Sequence, residues 1–286
     1  MAGGGCVEKI PITDSNFKIV YDNGSTVDMA RDLSVLVRSF VPGAPSPNIY
    51  YEKIEGTNGS IRTGKDFGIR SIKAECRLFA EDTDDFFLLR NKIVAALYKQ
   101  TQFYVIVESE PYKRWKVEVS SSFDVDRIGT TGDFNIQFDC ADGFAESLGT
   151  TLDPFTFDAD RWLLGEGLTD TVPSYTHKTA SFSIYNAGDI PIDPIEMPLI
   201  IAYKGGSSNL TITNQTTGDV WKYSGTTSSG DTIVLNRVRA TKNNISIFGN
   251  TNRKFITLAP GWNHFKLSGT SGSFEVSFNF RFYYAS

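Results

Sequence analysis

Apolar and polar positions alternate with a period of two along most of this chain, the mark of half-buried strands. The last strand shows it best. Phe274, Val276, Phe278, Phe280 and Phe282 face one way, and Glu275, Ser277, Asn279 and Arg281 the other. Similar runs occur in residues 17–28, where Asn23-Gly24 splits FKIVY from TVDM as a two-residue hairpin turn. Further strands are expected at Arg31–Phe40, Asn48–Glu55, Gly68–Phe79, 102–109, 114–120 and 133–140. In the second half they are expected at Ala180–Tyr185, Pro198–Tyr203, Asn209–Thr213, Asp219–Tyr223, Thr232–Asn236 and Phe255–Leu258. One stretch breaks the pattern. Phe86, Leu89, Ile93 and Leu97 recur at helical spacing, behind an acidic start at Glu81, Asp82, Asp84 and Asp85 that suits unpaired N–H groups. A single helix over about 82–99 follows. Phe87, Val94 and Tyr98 give it a second apolar face, so it needs cover on more than one side. Those three residues are the candidate subunit interface.

The fold class expected is mainly β. It comprises two β-sandwich domains, the first (1–146) holding the helix and the second (147–286) built from short strands and turns. Ala141–Leu152 reads as an exit segment and Asp153-Pro154 as a break.

Charge narrows the function. The chain has 286 residues, with 28 Lys+Arg and 33 Asp+Glu; 11 of each fall after residue 150, so the net −5 belongs to the first 150 residues. Neither half is basic enough for a nucleic-acid footprint, so sequence-specific nucleic-acid binding is not expected. No apolar run reaches the ~20 residues of a membrane helix, and the N-terminus lacks the apolar core of a secretory signal. The three cysteines, Cys6, Cys76 and Cys140, have no metal-knuckle spacing, and the latter two sit in strand patterns as buried thiols. The five N-x-S/T triplets read as turn chemistry.

Candidate chemistry is thin. Gly59–Lys65 matches a phosphate-binding loop, but Asp66 replaces the hydroxyl residue and a strand follows instead of a helix. It reads as a loop between strands. His177 and His264 are the only histidines, and no nucleophile elbow surrounds any serine. The acidic cluster at 81–85 caps the helix. Trp162, Trp221 and Trp262 could stack on sugar rings, and Trp221, Trp262 and His264 are the candidate sugar or partner contacts. No catalytic, cofactor or metal residues are expected.

The order of these pieces resembles the distal tail proteins of long-tailed, non-contractile bacteriophages. The resemblance rests on the acid-capped helix EDTDDFFLLRNKIVAAL, the strand KRWKVEV and the closing strand NIQFDCADGF. In the second half it rests on Asn186–Gly188 before a Pro-terminated strand, the hairpin Thr213–Gly218 and the turn Leu258–Asn263. It spans residues 17–284. It implies a structural virion protein at the tail tip, made in the host bacterial cytoplasm. The first domain would form a hexameric ring around a channel for DNA, docked on the major tail tube protein and on the tail-associated hub protein. The second would be a galectin-like or carbohydrate-module-like jelly roll that carries receptor-binding proteins in some phages. Two features depart from the family. Residues 1–12, with Gly3-Gly4-Gly5, read as an arm. The galectin sugar-binding pattern is absent, because Trp221–Ser224 and Asn263–Lys266 do not fit it. The alternative reading is a carbohydrate-binding adhesion module for host cell-wall sugars. A β-sandwich glycosidase would need paired carboxylates that the sequence does not place together.

Overall fold

The computed structural model describes residues 10–154 and 173–285. Cys6, Gly3–Gly5 and Trp162 lie outside the described residues. The chain divides into two units, one running through Ala145 with Ala285 joined to it, the other Glu146–Tyr284.

In chain order the first unit holds β1 (Phe17–Val20), β2 (Thr26–Asp28), α1 (Met29–Leu33), β3 (Val35–Pro42), β4 (Pro47–Glu52), β5 (Ile61–Phe67) and β6 (Arg70–Phe79). It continues with α2 (Thr83–Leu97), β7 (Phe103–Val107), β8 (Lys113–Val119), β9 (Asp126–Ile128) and β10 (Thr131–Cys140), and β11 (Ala145–Ser147) leads onward. The strands bond in the order β2-β1-β7-β8-β10-β6-β3. In a flat sheet β1 and β3 would lie about 24 Å apart. Yet Phe17 of β1 and Phe40 of β3 have ring centroids 5.5 Å apart, and Phe17 meets Phe138 of β10 edge-on at 5.8 Å. The sheet is therefore rolled so that its inner face meets itself. Phe17, Ile19, Val35, Ile72, Leu78, Phe103, Val117 and Phe138 fill the interior.

The Asn23-Gly24 turn joins β1 to β2, with Gly24 at φ 80°. Two expectations needed correction. Arg31–Leu33 belong to the short helix α1 and not to a strand; Asp28 caps it by accepting from the Ala30 and Arg31 amides. A stretch of five residues is too short for its period to show against the alternation that follows. The Gly-rich segment after Gly59 is half strand: β5 pairs antiparallel with β4 as a separate two-stranded ribbon. No helix follows Lys65, so the phosphate-loop spacing holds no phosphate-loop geometry.

The second unit holds β12 (Thr176–His177), β13 (Ser181–Asn186), β14 (Leu199–Asn214), β15 (Asp219–Lys222), β16 (Thr226–Thr227), β17 (Thr232–Asn236) and β18 (Arg239–Lys242). It ends with β19 (Ile245–Ser246), β20 (Gly261–Phe280) and β21 (Tyr283–Tyr284). β14 joins the two strands expected at 198–203 and 209–213, and Phe255–Leu258 contributes only a bridge from Leu258 to Ile192. β14 and β20 pair along most of their lengths, with register breaks at Gly205/Gly206 and Ser207/Thr211.

Those breaks make the sandwich. In a straight strand Phe265 and Phe278 would be about 43 Å apart; their ring centroids are 4.8 Å apart. β20 therefore doubles back, and so does β14 beside it, so both layers share the same two strands. Gly205 (φ 146°) sits at the fold, where a Cβ would lie 2.6 Å from Phe274 Cβ. Gly269 (φ 81°) is equally confined, with Ser208 O 2.5 Å from the position of a Cβ.

Candidate interaction surfaces

α2 is fixed at both ends. Asp82 accepts from the Asp85 amide at 2.8 Å, and Asp85 accepts from the Glu81 amide at 3.0 Å, so these carboxylates cap the helix. Arg127 donates to Thr83 Oγ1 at 2.9 Å and lies over the rings of Phe86 and Phe87. At the other end Tyr98 caps the helix, donates its hydroxyl to Ser121 O at 2.9 Å and stacks on Phe123. Phe86, Leu89, Ile93, Ala96 and Leu97 are buried. The second face stays open: Phe87 is 40% exposed, Val94 40% and Tyr98 46%. Leu88, beside the Lys92 strip, adds a 53% exposed side chain at the border of this face.

The ribbon β4–β5 is the second open surface. Ile49, Tyr50, Tyr51, Ile54, Ile61 and Phe67 are all exposed, although these residue types ordinarily drive burial. The ribbon is nonetheless shaped. Tyr50 donates to Asp66 at 2.9 Å, and Phe67 packs edge-on against Phe144.

Nearby polar groups are structural. Arg77 holds Asp133 with two bonds of 2.6 Å, and Arg38 joins them. The Arg77 hydrogen bond, aided by both guanidinium charges, holds the Asp133 carboxyl below its usual range. Burial pushes the Cys76 thiol up to about 12 and the Cys140 thiol up to about 11; both are free.

In the second unit the aromatic candidates separate. Trp221 lies on the inner face, 3% exposed, so it has no ring face to offer a ligand. Its strand alternates Val220 and Lys222 outward, which puts Trp221 in the core. Trp262 is 46% exposed and packs on Tyr185 with centroids 4.9 Å apart. His264 is exposed two residues on, with Nδ1 2.9 Å from Ser183 Oγ on the facing strand. Cross-strand register set that pairing, and no local motif announces it. His177 stacks on Phe182 at 4.5 Å, and its Nε2 lies 2.8 Å from Ser174 O; burial lowers its pKa.

The three asparagine turns have one physical explanation. Asn214 and Asn263 are fully buried. Asn214 Nδ2 donates to Thr257 O and Asn263 Oδ1, while Asn263 accepts from the Ala259 amide and donates to Ala259 O and Gly261 O. Asn186 accepts from the Gly188 amide and donates to Ile190 O. Each amide replaces backbone partners for a turn that has left the ladder. Among the described residues no group of three or more His, Cys, Asp or Glu could hold a metal, and no helix is long and apolar enough to cross a membrane.

Residues 29–140, which run from α1 to β10 and include α2, match the family described as the phage tail protein RIFT-related domain, in agreement with the resemblance. Among solved structures, the chain is similar to the Dit (gp 19.1) protein of phage SPP1, described as a paradigm of the hub adsorption apparatus in phages infecting Gram-positive bacteria. The TM-score is 0.64 at 15% identity, covering 93% of this chain and 99% of that one. Two baseplate structures of phage p2 in its activated conformation, with Sr and with Ca, match at 11% identity with TM-scores of 0.42 and 0.40; each covers 93% of this chain and 97% of that one. No curated protein matches the sequence. The mainly β fold expected from the alternation is the fold found.

Proposed function

We propose that this chain is a distal tail protein at the tail tip of the virion, acting by assembly and without catalysis. Copies of the first unit close into a ring, hexameric by the family resemblance, between the major tail tube protein and the tail-associated hub protein. The phage tail domain at 29–140 and the SPP1 Dit-like fold over nearly the whole chain support this reading. The observation that carries it is the pair of open apolar surfaces on the first unit. A closed ring joins unlike patches head to tail. The α2 face (Phe87, Val94 and Tyr98, bordered by Leu88) and the β4–β5 ribbon are two such patches, and the ribbon of one copy is proposed to lie on the α2 face of the next. The negative charge of the first 150 residues suits a DNA conduit, since like charge prevents adhesion to the wall.

The test is electron microscopy and mass measurement of the protein bound to tail tubes. Six copies around a central opening at the tube end support the reading. A protein that leaves the tube end unoccupied refutes it.

A further inference from the structure

The second unit has a sheet face that its fold does not use. On β13, β20, β14 and β15, alternate residues Ile184, Phe265, Leu267, Ile212 and Trp221 are buried. The register then fixes what points away from them. Tyr185 stands opposite Trp262, Ser183 opposite His264, and Ser181–Lys266–Thr213–Val220 form one cross-strand row. Lys222, two strands from β20, continues the face beside Thr211. In this layer (181–185, 261–267, 211–214 and 219–222) the residues alternating outward include two lysines, a histidine and several hydroxyls and no carboxylate; Glu275 lies on the other half of β20, and Asp219 alternates inward and binds Thr257. Exposed Trp262 and half-buried Tyr185 close one end.

The row is held rigid without using its outer edges. His264 N donates to Thr216 Oγ1 at 2.9 Å, and the Gln215 amide donates to His264 O at 2.8 Å. Trp262, His264 and Lys266 follow one another in steps of about 6.6 Å along β20. An aromatic ring face, then a hydroxyl–imidazole pair, then an ammonium lie in one line about 13 Å long.

We propose that this face binds a phosphate-bearing glycan. One sugar ring rests on Trp262, supported by Tyr185. Sugar hydroxyls meet Ser183 and His264, and a phosphate group sits at Lys266 with Lys222 contributing to the field. Charge complementarity selects an anion, since positive groups face outward with no acid among them. The cations here are ammonium groups, which act on a phosphate as point charges. The site uses other residues than the galectin pattern, and it does not depend on ring formation.

The full chain is titrated by calorimetry with three probes: a glucosylated glycerol-phosphate oligomer, the same glucosyl-glycerol units without phosphate, and linear polyphosphate. The phosphorylated glycan is expected to bind best, with each other probe at least about tenfold weaker. Trp262→Ala and Lys266→Gln each weaken it by about tenfold or more, and Trp262→Tyr retains most of the affinity. Raising salt from about 50 to about 300 mM weakens the phosphorylated glycan more than the neutral one. Both sites are exposed, and unchanged circular dichroism establishes that the variants fold. No saturable binding of the phosphorylated glycan, or binding that neither substitution weakens, overturns the proposal. So does polyphosphate binding as tight as the glycan, since that would be charge alone.

Discussion

A head-to-tail contact between the α2 face and the ribbon makes a prediction that a symmetric contact does not. The perturbations are Phe87→Glu on α2 and Tyr51→Glu on β4. Phe87 is 40% exposed, Leu88 53%, Val94 40% and Tyr98 46%. From those fractions the face offers about 300 Å² of side chain, or ~8 kcal/mol of gross burial at ~25 cal/mol per Å². Association costs consume much of that, so the contact is moderate and one residue decides it. Phe87→Glu forfeits ~2 kcal/mol of burial. Enclosing an unpaired carboxylate adds roughly 3 kcal/mol. Together, ~5 kcal/mol, they weaken each contact by roughly three and a half orders of magnitude. Sedimentation velocity on concentrated protein then has a distinctive outcome. Wild type assembles, and each variant alone stays monomeric. An equal mixture of the two gives dimers and stops there, because each mixed pair has one intact ribbon and one intact helix face. Rings in the mixture, or variants that assemble like wild type, would refute the head-to-tail pairing.

Three further outcomes follow from the geometry. Asn263→Ala leaves Asn214 and the Ala259 turn without partners and should lower stability by about 3 kcal/mol in denaturant unfolding, with the loss confined to the second unit; a change too small to measure would remove the explanation of the asparagine turns. Asp133 has a depressed folded-state pKa, so its stabilising contribution is present above the ordinary aspartate range and is lost as pH falls through the lowered value. Acid titration below pH ~4 should therefore show a loss of stability in wild type that Asp133→Asn lacks. Cys76, buried and with its thiol pushed up to about 12, should resist thiol reagents at neutral pH until the chain unfolds, and rapid labelling of the native protein would contradict its placement.

The elements legible in the sequence were those whose own residues carried the signal. α2 has four apolar positions at helical spacing and acids that cap it, and β20 ends in four alternating apolar residues, an alternation that Phe282 continues beyond it. α1 is hidden in the sequence because Leu33, Val35 and Val37 continue an alternation across its end, while the feature that marks it, Asp28 accepting from the Ala30 and Arg31 amides, is a single side chain. β14 was split in two because Gly205–Ser208 has turn composition, and only the facing strand shows that it is a bulge. The candidate residues divided along the same line. Phe87, Val94 and Tyr98, grouped by helical period, share one exposed face of α2 within the single chain. Trp221 turned inward because strand alternation gives two faces without saying which meets the core. The partnership of His264 with Ser183, 81 residues apart, depends on register alone.

The doubled-back strands have a mechanical side. Because β14 and β20 each supply both layers, the layers cannot be peeled apart at a loop. A pull along β20 loads its ladder with β14 in shear, with many bonds strained at once instead of opening in turn. On the proposed reading, a tail part under load from its host gains from that geometry, and gains it from two bends in the backbone.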